Sequence, residues 1–286
     1  MSRNQNIVKI LSLKGYCSIQ DYGRPGFRQW GIPPGGCMDA EASGMANALL
    51  GNPADSPLLE LAYGRLAVEF LQDWECCVTG GVSAIEYDNE VHQVGGSIFG
   101  KKGKVLVVHL DPRGGYGYLA LRGGILSPEK FGSSSYHPAI GMKTLEKGAV
   151  LVSLGAPTLA RRFTTTPELQ QSIFIKSSKG PEFNWLSTSA KKNLFAGHFR
   201  LTEDLSRVGF RLHGPTFHED AIPEMISSPT IPGVVQLPPS GQLIVFMRDA
   251  PTSGGYPRIL IVEEEGIDQL ARKKVGDIVK FVLGGF

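Results

Sequence analysis

The 286-residue chain lacks most of the features that mark special environments. No apolar run approaches the ~18 residues needed to span a bilayer. Met1-Ser-Arg-Asn-Gln-Asn6 has no apolar stretch leading to a small-residue cleavage site, so a cytoplasmic location is expected. Cysteine is scarce: Cys17, Cys37, Cys76 and Cys77 are all there is. Adjacent residues of a strand point to opposite faces, so Cys76 and Cys77 suit neither a bridge nor a chelate, and all four read as buried small hydrophobes. The six histidines show no H-x-H or H-E-x-x-H spacing, and no paired C-x-x-C accompanies them, so no metal is expected. Net charge is nearly absent, 29 basic against 27 acidic side chains, which leaves no field that would select nucleic acid or an anionic membrane as the partner.

Glycine and proline, by contrast, are abundant, at 36 and 19 residues, in a chain that is 42% apolar. That mixture points to short strands joined by tight turns. Strand-like runs fall at Ile7–Leu13, Leu66–Phe70, Cys76–Thr79, Val105–Leu110, Tyr118–Leu121, Val150–Leu154, Gln242–Met247, Ile259–Val262 and Asp277–Val282. One helix is well signalled, with Asp39 as its cap, Ala42, Met45, Ala46 and Leu49 at helical spacing, and Gly51-Asn-Pro53 as its stop. Fainter helical patterns occupy Ser187–Phe195 and Ile267–Lys273.

Three landmarks recur in the same order in the two halves. Arg24-Pro-Gly-Phe-Arg-Gln-Trp-Gly31 matches Arg207-Val-Gly-Phe-Arg-Leu-His-Gly214. The strand and turn from Gly103 to Tyr116 match those from Gly241 to Tyr256, and Leu145–Leu151 loosely matches Lys274–Val279. The expected architecture is therefore mainly β, with two related barrels: residues 1–165 carrying the helix as an insertion, and residues 166–286, with Arg161–Gln171 as the linker.

Some motifs are imitations. Gly95-Gly-Ser-Ile-Phe-Gly-Lys-Lys102 has the frame of a phosphate loop, but Lys102 replaces the metal-binding hydroxyl and a strand follows instead of a helix, so it reads as a hairpin. Gly115-Tyr-Gly117 likewise runs into a strand and is no dinucleotide fingerprint. Ser133-Ser-Ser135 lies in no nucleophile elbow and reads as turn chemistry, with a pocket-lining role as the alternative.

Two segments carry more chemistry than turns require. Gln20–Asp39, broken by glycine and proline, can present Asp21, Arg24 and Asp39 with little mobility. Gln236–Arg258 runs an apolar strand into Arg248, Asp249, Thr252, Ser253 and Tyr256, the kind of strand end where a scaffold meets a site. Gly-rich turns joining barrel strands are the alternative for the first, and an ordinary hairpin with an Asp-initiated turn is the alternative for the second.

Asp21-Tyr-Gly-Arg-Pro-Gly-Phe, Gly31-Ile-Pro-Pro-Gly-Gly-Cys-Met-Asp39, Ala46-Asn-Ala-Leu-Leu-Gly-Asn-Pro53, Glu60-Leu, Gly123-Gly-Ile125, the Arg207–Pro215 segment, Gln236-Leu-Pro-Pro-Ser-Gly241 and Thr252-Ser-Gly-Gly-Tyr-Pro257 together resemble the allophanate hydrolase subunit 2 family. That family includes the C subunit of bacterial ATP-dependent 5-oxoprolinase, the carboxyltransferase part of urea carboxylase, and the antagonist of a sporulation-kinase inhibitor. The resemblance runs nearly end to end and implies cyclophilin-like barrels. It departs at Ala250-Pro251, where many members read Arg-Gln, so any role of that arginine is absent or passes to Arg248, and at Gly35, where a serine is frequent.

The resemblance implies a subunit that helps open the lactam of 5-oxo-L-proline to L-glutamate with ATP, alongside a companion subunit related to the sporulation-kinase inhibitor and a further oxoprolinase subunit. A lactam resists water, so such chemistry needs cations for phosphate and carboxylate and an acid or base at oxygen and nitrogen. Arg24, Arg248 and Arg258 are the expected cations, Asp21, Asp39, Asp249 and Tyr256 the expected acid/base set, and Gln236, Thr252 and Ser253 further substrate contacts. ATP is expected to be bound in part by a partner, since no nucleotide motif stands out. The alternatives are a biotin-dependent carboxyltransferase acting on urea or a related amide, with biotin arriving on another protein, and a non-enzymatic regulator that binds a kinase-inhibitor protein.

Overall fold

The strands at Gln5–Gln20 and Leu58–Phe70 extend well past the apolar runs that reveal them, Val105–Leu110 coincides with its run, and Gln242–Met247 shrinks to Ile244–Phe246. The computed structural model describes residues 5–153, 155, 169, 171–217 and 225–284. They fall into two units, Met1–Arg24 with Gly35–Leu169, and Pro25–Pro34 with Gln170–Phe286. Most of the Arg161–Gln171 segment lies outside the described residues.

The first unit contains β1 (Gln5–Gln20), α1 (Ala40–Leu49), β2 (Leu58–Phe70), β3 (Trp74–Gly80), β4 (Val82–Tyr87), β5 (Glu90–His92), β6 (Ser97–Gly100), β7 (Val105–Leu110), β8 (Tyr116–Leu121) and β9 (Val150–Ser153). These strands make one nine-stranded sheet, β5-β4-β7-β2-β8-β3-β6, with β1 on β2 and β9 on β1. β1 and β2 pair antiparallel from Val8↔Phe70 to Gln20↔Leu58. Both bend midway, where Gly15, Tyr63 and Gly64 take φ of 95, 60 and 81°. A Cβ on Gly15 would lie 1.9 Å from the Tyr63 carbonyl oxygen, so only glycine admits this approach. The bend divides β2, whose Leu59–Ala62 pairs with β8 while Arg65–Glu69 pairs with β7.

One face of this sheet is a dry core that includes Cys17, Leu59, Leu61, Val78 and Leu119. The opposite face carries a buried polar row, because register sets Ser18 beside Glu60, Glu60 beside Tyr118, and Tyr118 beside Thr79. Helix α1 covers that row. The Asp39 side chain accepts from Ala42 N at 3.0 Å to start it, as the sequence predicts. Ala42 and Ala46 of the expected stripe are buried, but they are joined by Ser43 and Asn47, while Met45 and Leu49 are only half-buried. Small side chains let the helix approach polar partners, and Thr79 Oγ1 donates to Ala42 O at 2.7 Å.

The second unit contains β10 (Phe174–Lys179), α2 (Thr188–Ala196), β11 (Phe199–Leu205), β12 (Gly209–His213), β13 (Ser228–Pro229), β14 (Val234–Gln236), β15 (Ile244–Phe246), β16 (Ser253–Gly254), β17 (Arg258–Val262), α3 (Glu264–Ala271) and β18 (Ile278–Leu283). Seven of the strands close into a barrel, β10-β17-β14-β15-β12-β11-β18, sealed by parallel pairing of β18 with β10. Alternating residues such as Phe199, Leu201, Phe210, Leu212, Val279 and Phe281 fill its interior. β13 and β16 form a separate two-stranded ribbon. The fold is thus mainly β, a barrel and a half-barrel.

One of the three sequence echoes has the same local geometry throughout. Ala149 N bonds Glu146 O and Asp277 N bonds Lys274 O, each turn carrying a left-handed glycine, Gly148 at φ 93° and Gly276 at 92°. Each glycine then donates to a strand of its own half, Gly148 to Ile10 O in β1 and Gly276 to Leu201 O in β11. The second echo keeps its strands, β7 and β15, but not its turn: Gly114 N closes a turn on Asp111 O, whereas after β15 Ala250 N closes a turn on Met247 O with Asp249 inside it. The first echo does not share a conformation. Arg207–Gly214 contains β12, whereas Arg24–Gly31 is a loop with a short 3₁₀ turn at Arg28–Trp30. Pro25, standing where the second copy has Val208, removes a ladder donor, and left-handed Gly26 and Gly31 break the strand.

Candidate functional site

In the first unit, the Asp21 carboxylate is held by four donors. Oδ1 accepts from Gly23 N at 2.7 Å and from the Ser133 and Ser135 hydroxyls at 2.6 Å each, and Oδ2 accepts from Ser134 N at 2.7 Å. The serine run therefore clasps Asp21. Arg24 is buried below the same loop, donating to the Lys130 and Ser135 carbonyl oxygens, with Met142 Sδ at 3.7 Å. Asp39 is buried as the helix cap, and its amide donates to Tyr118 Oη at 2.8 Å.

Beneath Asp39 lies a residue that site reasoning from sequence passed over. Glu60, fully buried, accepts from Met38 N at 2.7 Å and from the Tyr118 hydroxyl at 3.1 Å. A carboxylate inside the apolar run Leu58-Leu-Glu-Leu-Ala62 is the signal that points to it. Burial and the nearby Glu60 raise the Tyr118 hydroxyl well above its ordinary value of 10.0. Burial, then Glu60, pushes the Cys17 thiol up to about 12. Burial, with Glu75 adding to it, carries Cys77 to about 12, and Cys76 is raised as well.

These groups bind their protons more tightly folded than unfolded, so the stability they contribute is present below pH ~9 and is lost as pH rises through the folded values. Thermal melts are expected to be flat to about pH 9 and to fall steeply above it. All four cysteines are buried and unbridged, so Ellman's reagent should find none in the native chain and all four after unfolding.

In the second unit, Asp249 is 6% exposed and takes a two-pronged bond from Arg207, Nε to Oδ2 and Nη2 to Oδ1, both at 2.8 Å. Arg207 belongs to the first sequence echo yet was not among the expected site residues. Arg248 turns to α3, whose Glu264 and Asp268 stand four residues apart on one face and accept from it at 2.5 and 2.7 Å. Burial works against the Arg248 charge, but Asp268 and Glu264 outweigh it and raise its pKa. Arg258 grips both carboxylate oxygens of Glu182 at 2.8–2.9 Å, which holds that carboxyl below its ordinary value.

Around these ion pairs is a polar rim. Gln236 is buried and donates to Tyr256 O, Thr252 O accepts from Thr230 N, Ser253 lies in β16, and the Tyr256 side chain is 43% exposed. Arg28, from the Pro25–Pro34 segment of this unit, donates to the Thr230 and Pro251 carbonyl oxygens. Strand register sets Gln236 and Arg258 at one end of β14, beside the start of β15, whereas Arg248 and Asp249 follow the other end of β15, and the charges of both groups are already paired.

The phosphate-loop imitation is a strand and turn rather than the expected hairpin, because β6 pairs with β3 and not with β5 or β7, its neighbours in the chain. Ser97–Gly100 is β6, and the following Lys101 and Lys102 engage Asp73, through Nζ at 2.8 Å and the amide at 2.9 Å. Gly117 lies inside β8. Neither element fits ATP, because neither opens a helix whose amides could converge on phosphate. Among the described residues no group of three or more His, Cys, Asp or Glu side chains is disposed to hold a metal, and no helix is long and apolar enough to cross a membrane.

A barrel and half-barrel with this polar rim define a carboxyltransferase-like β protein. Residues 30–283 match the family described as carboxyltransferase domain, subdomain A and B, and the chain belongs to that family. It is 34% identical to the C subunit of 5-oxoprolinase from Escherichia coli, over 96% of this chain and 91% of that protein. It superposes on the crystal structure of TTHA0988 with a TM-score of 0.86 at 28% identity, over 99% of this chain but 57% of that one. The K. lactis urea amidolyase structure shares the fold, with a TM-score of 0.86 at 23% identity over 19% of its length.

Proposed function

We propose that the chain works as the C subunit of a 5-oxoprolinase, taking part with companion subunits in the ATP-driven opening of 5-oxo-L-proline to L-glutamate. The observation that carries this reading is the end-to-end match to the Escherichia coli protein, 96% of this chain against 91% of that one. The chemistry of the two motif segments agrees with it. Ring opening needs a fixed array of charge around a small polar substrate. In the second unit Tyr256, Thr252, Ser253 and Gln236 are proposed to meet the substrate or a partner-bound intermediate. Asp249, Arg248 and Arg258, locked by Arg207, by Glu264 and Asp268, and by Glu182, hold that rim in place. Asp21, Arg24 and Asp39 do the same for the loop of the first unit. ATP is assigned in part to a companion subunit.

The family name favours a second reading, a carboxyltransferase that receives carboxybiotin from another protein and acts on urea or a related amide. Reconstitution separates the two. ADP release from the combined subunits is expected to be elicited by 5-oxo-L-proline and not by urea, with little turnover from this chain alone. Urea-dependent release that requires a biotin carrier would replace the first reading with the second, and robust glutamate formation by this chain alone would refute the division of labour.

A further inference from the structure

The first unit holds a cavity of about 300 Å³ beside the loop that clasps Asp21, within the size range of small-molecule sites. Its apolar part is made by Ile19, Met142 and Leu145, with the Tyr136 ring among its walls. Lys130 and Lys143 also line it, together with the Ser134 hydroxyl, and no lining residue is acidic. The carboxylate just behind it, Asp21, already accepts four hydrogen bonds.

The walls are fixed to β1. Tyr136 N bonds Ile19 O and Leu145 N bonds Cys17 O. The Tyr136 ring packs edge-on against Tyr16 at 6.0 Å, and the Arg24 guanidinium supports Met142 from below. A preformed hollow with apolar sides and only cationic charge is complementary to a compact anion with an apolar body.

We propose that this cavity is a binding site for a small carboxylate carried on an apolar ring. The apolar sides take the ring, and the carboxylate is taken by the ammonium groups of Lys143 and of Lys130, the latter held over the cavity by donating to Ile140 O. 5-Oxo-L-proline carries its carboxylate on a five-membered ring of which the amide edge is polar and the methylene edge apolar, and its choice as the ligand rests on the 5-oxoprolinase reading; the carboxylate preference rests on the cavity alone.

The test titrates the full chain with 5-oxo-L-proline, with cyclopentanecarboxylate, which lacks the lactam, and with 2-pyrrolidinone, which lacks the carboxylate, followed by ligand-observed NMR. Both acids should bind and 2-pyrrolidinone should not. Lys143→Glu, at an exposed position, should weaken binding at least tenfold, and Met142→Trp, which fills the hollow, should abolish it; melting curves establish that both variants are folded. Equal binding of 2-pyrrolidinone, or unchanged affinity in Lys143→Glu, would overturn the proposal. If neither acid binds while the reconstituted subunits still open 5-oxo-L-proline, the cavity is refuted and the functional reading survives. If cyclopentanecarboxylate binds and 5-oxo-L-proline does not, the site stands and the functional reading loses its ligand.

Discussion

Replacing Asp249 with asparagine is expected to lower the melting temperature of the second unit by about 10 °C or more. Asparagine is nearly the same shape but offers Arg207 one neutral oxygen in place of two anionic ones. Arg207 and Asp249 are 8% and 6% exposed, so the guanidinium would lose its two-pronged carboxylate partner in largely dry surroundings. Breaking one side of such a pair typically costs about 3–5 kcal/mol, and in a domain of this size each kcal/mol moves the midpoint by roughly 2–8 °C. Removing both partners, as in Arg207→Met with Asp249→Leu, is expected to recover much of the loss, because the desolvation of both charges disappears with their attraction. Differential scanning calorimetry of the native chain, Asp249→Asn and the double variant checks this. An unchanged midpoint in Asp249→Asn together with lost turnover in the assembled enzyme would instead make Asp249 a group that handles a proton.

Glu60→Ala is expected to be nearly as severe in the first unit, at about 3 kcal/mol or more. It strips the acceptor from Met38 N and from the Tyr118 hydroxyl, both buried. A buried donor left unsatisfied costs about 1–3 kcal/mol each. The loop that sets Asp39 as the cap of α1 is tethered at Met38, so far-ultraviolet circular dichroism and hydrogen exchange at Ala42 should report fraying of that helix before global unfolding. Glu60→Gln, which retains an acceptor oxygen, should lose much less. If Glu60→Ala melts like the native chain, the polar row beneath α1 is not what holds the loop.

Both variants probe contacts that site reasoning from sequence did not identify. Asp249, Arg248 and Arg258 stand out in the sequence as charges at a strand end, but nothing local says whether they face substrate or each other. The answer came from residues elsewhere: Arg207 is 42 positions from Asp249, and Glu182 is 76 from Arg258. The α3 boundary shows the same limit on a small scale. Apolar spacing suggests a start at Ile267, whereas the helix begins at Glu264, and the added turn supplies one of the two acids that hold Arg248.

By itself the sequence determined what short-range physics controls. Alternating apolar residues specified strands, Asp39 and Gly51 bracketed α1, and glycines at matched positions such as Gly148 and Gly276 specified matched turns, because backbone conformation depends chiefly on neighbouring residues. Tertiary structure decided the rest. It ran β1 and β2 through a shared bend, closed one sheet into a barrel, and chose partners for buried charges, as when Ser135 reached Asp21 across 114 positions. A buried charge must be compensated wherever the fold brings a partner near it, and separation along the chain carries no record of that proximity.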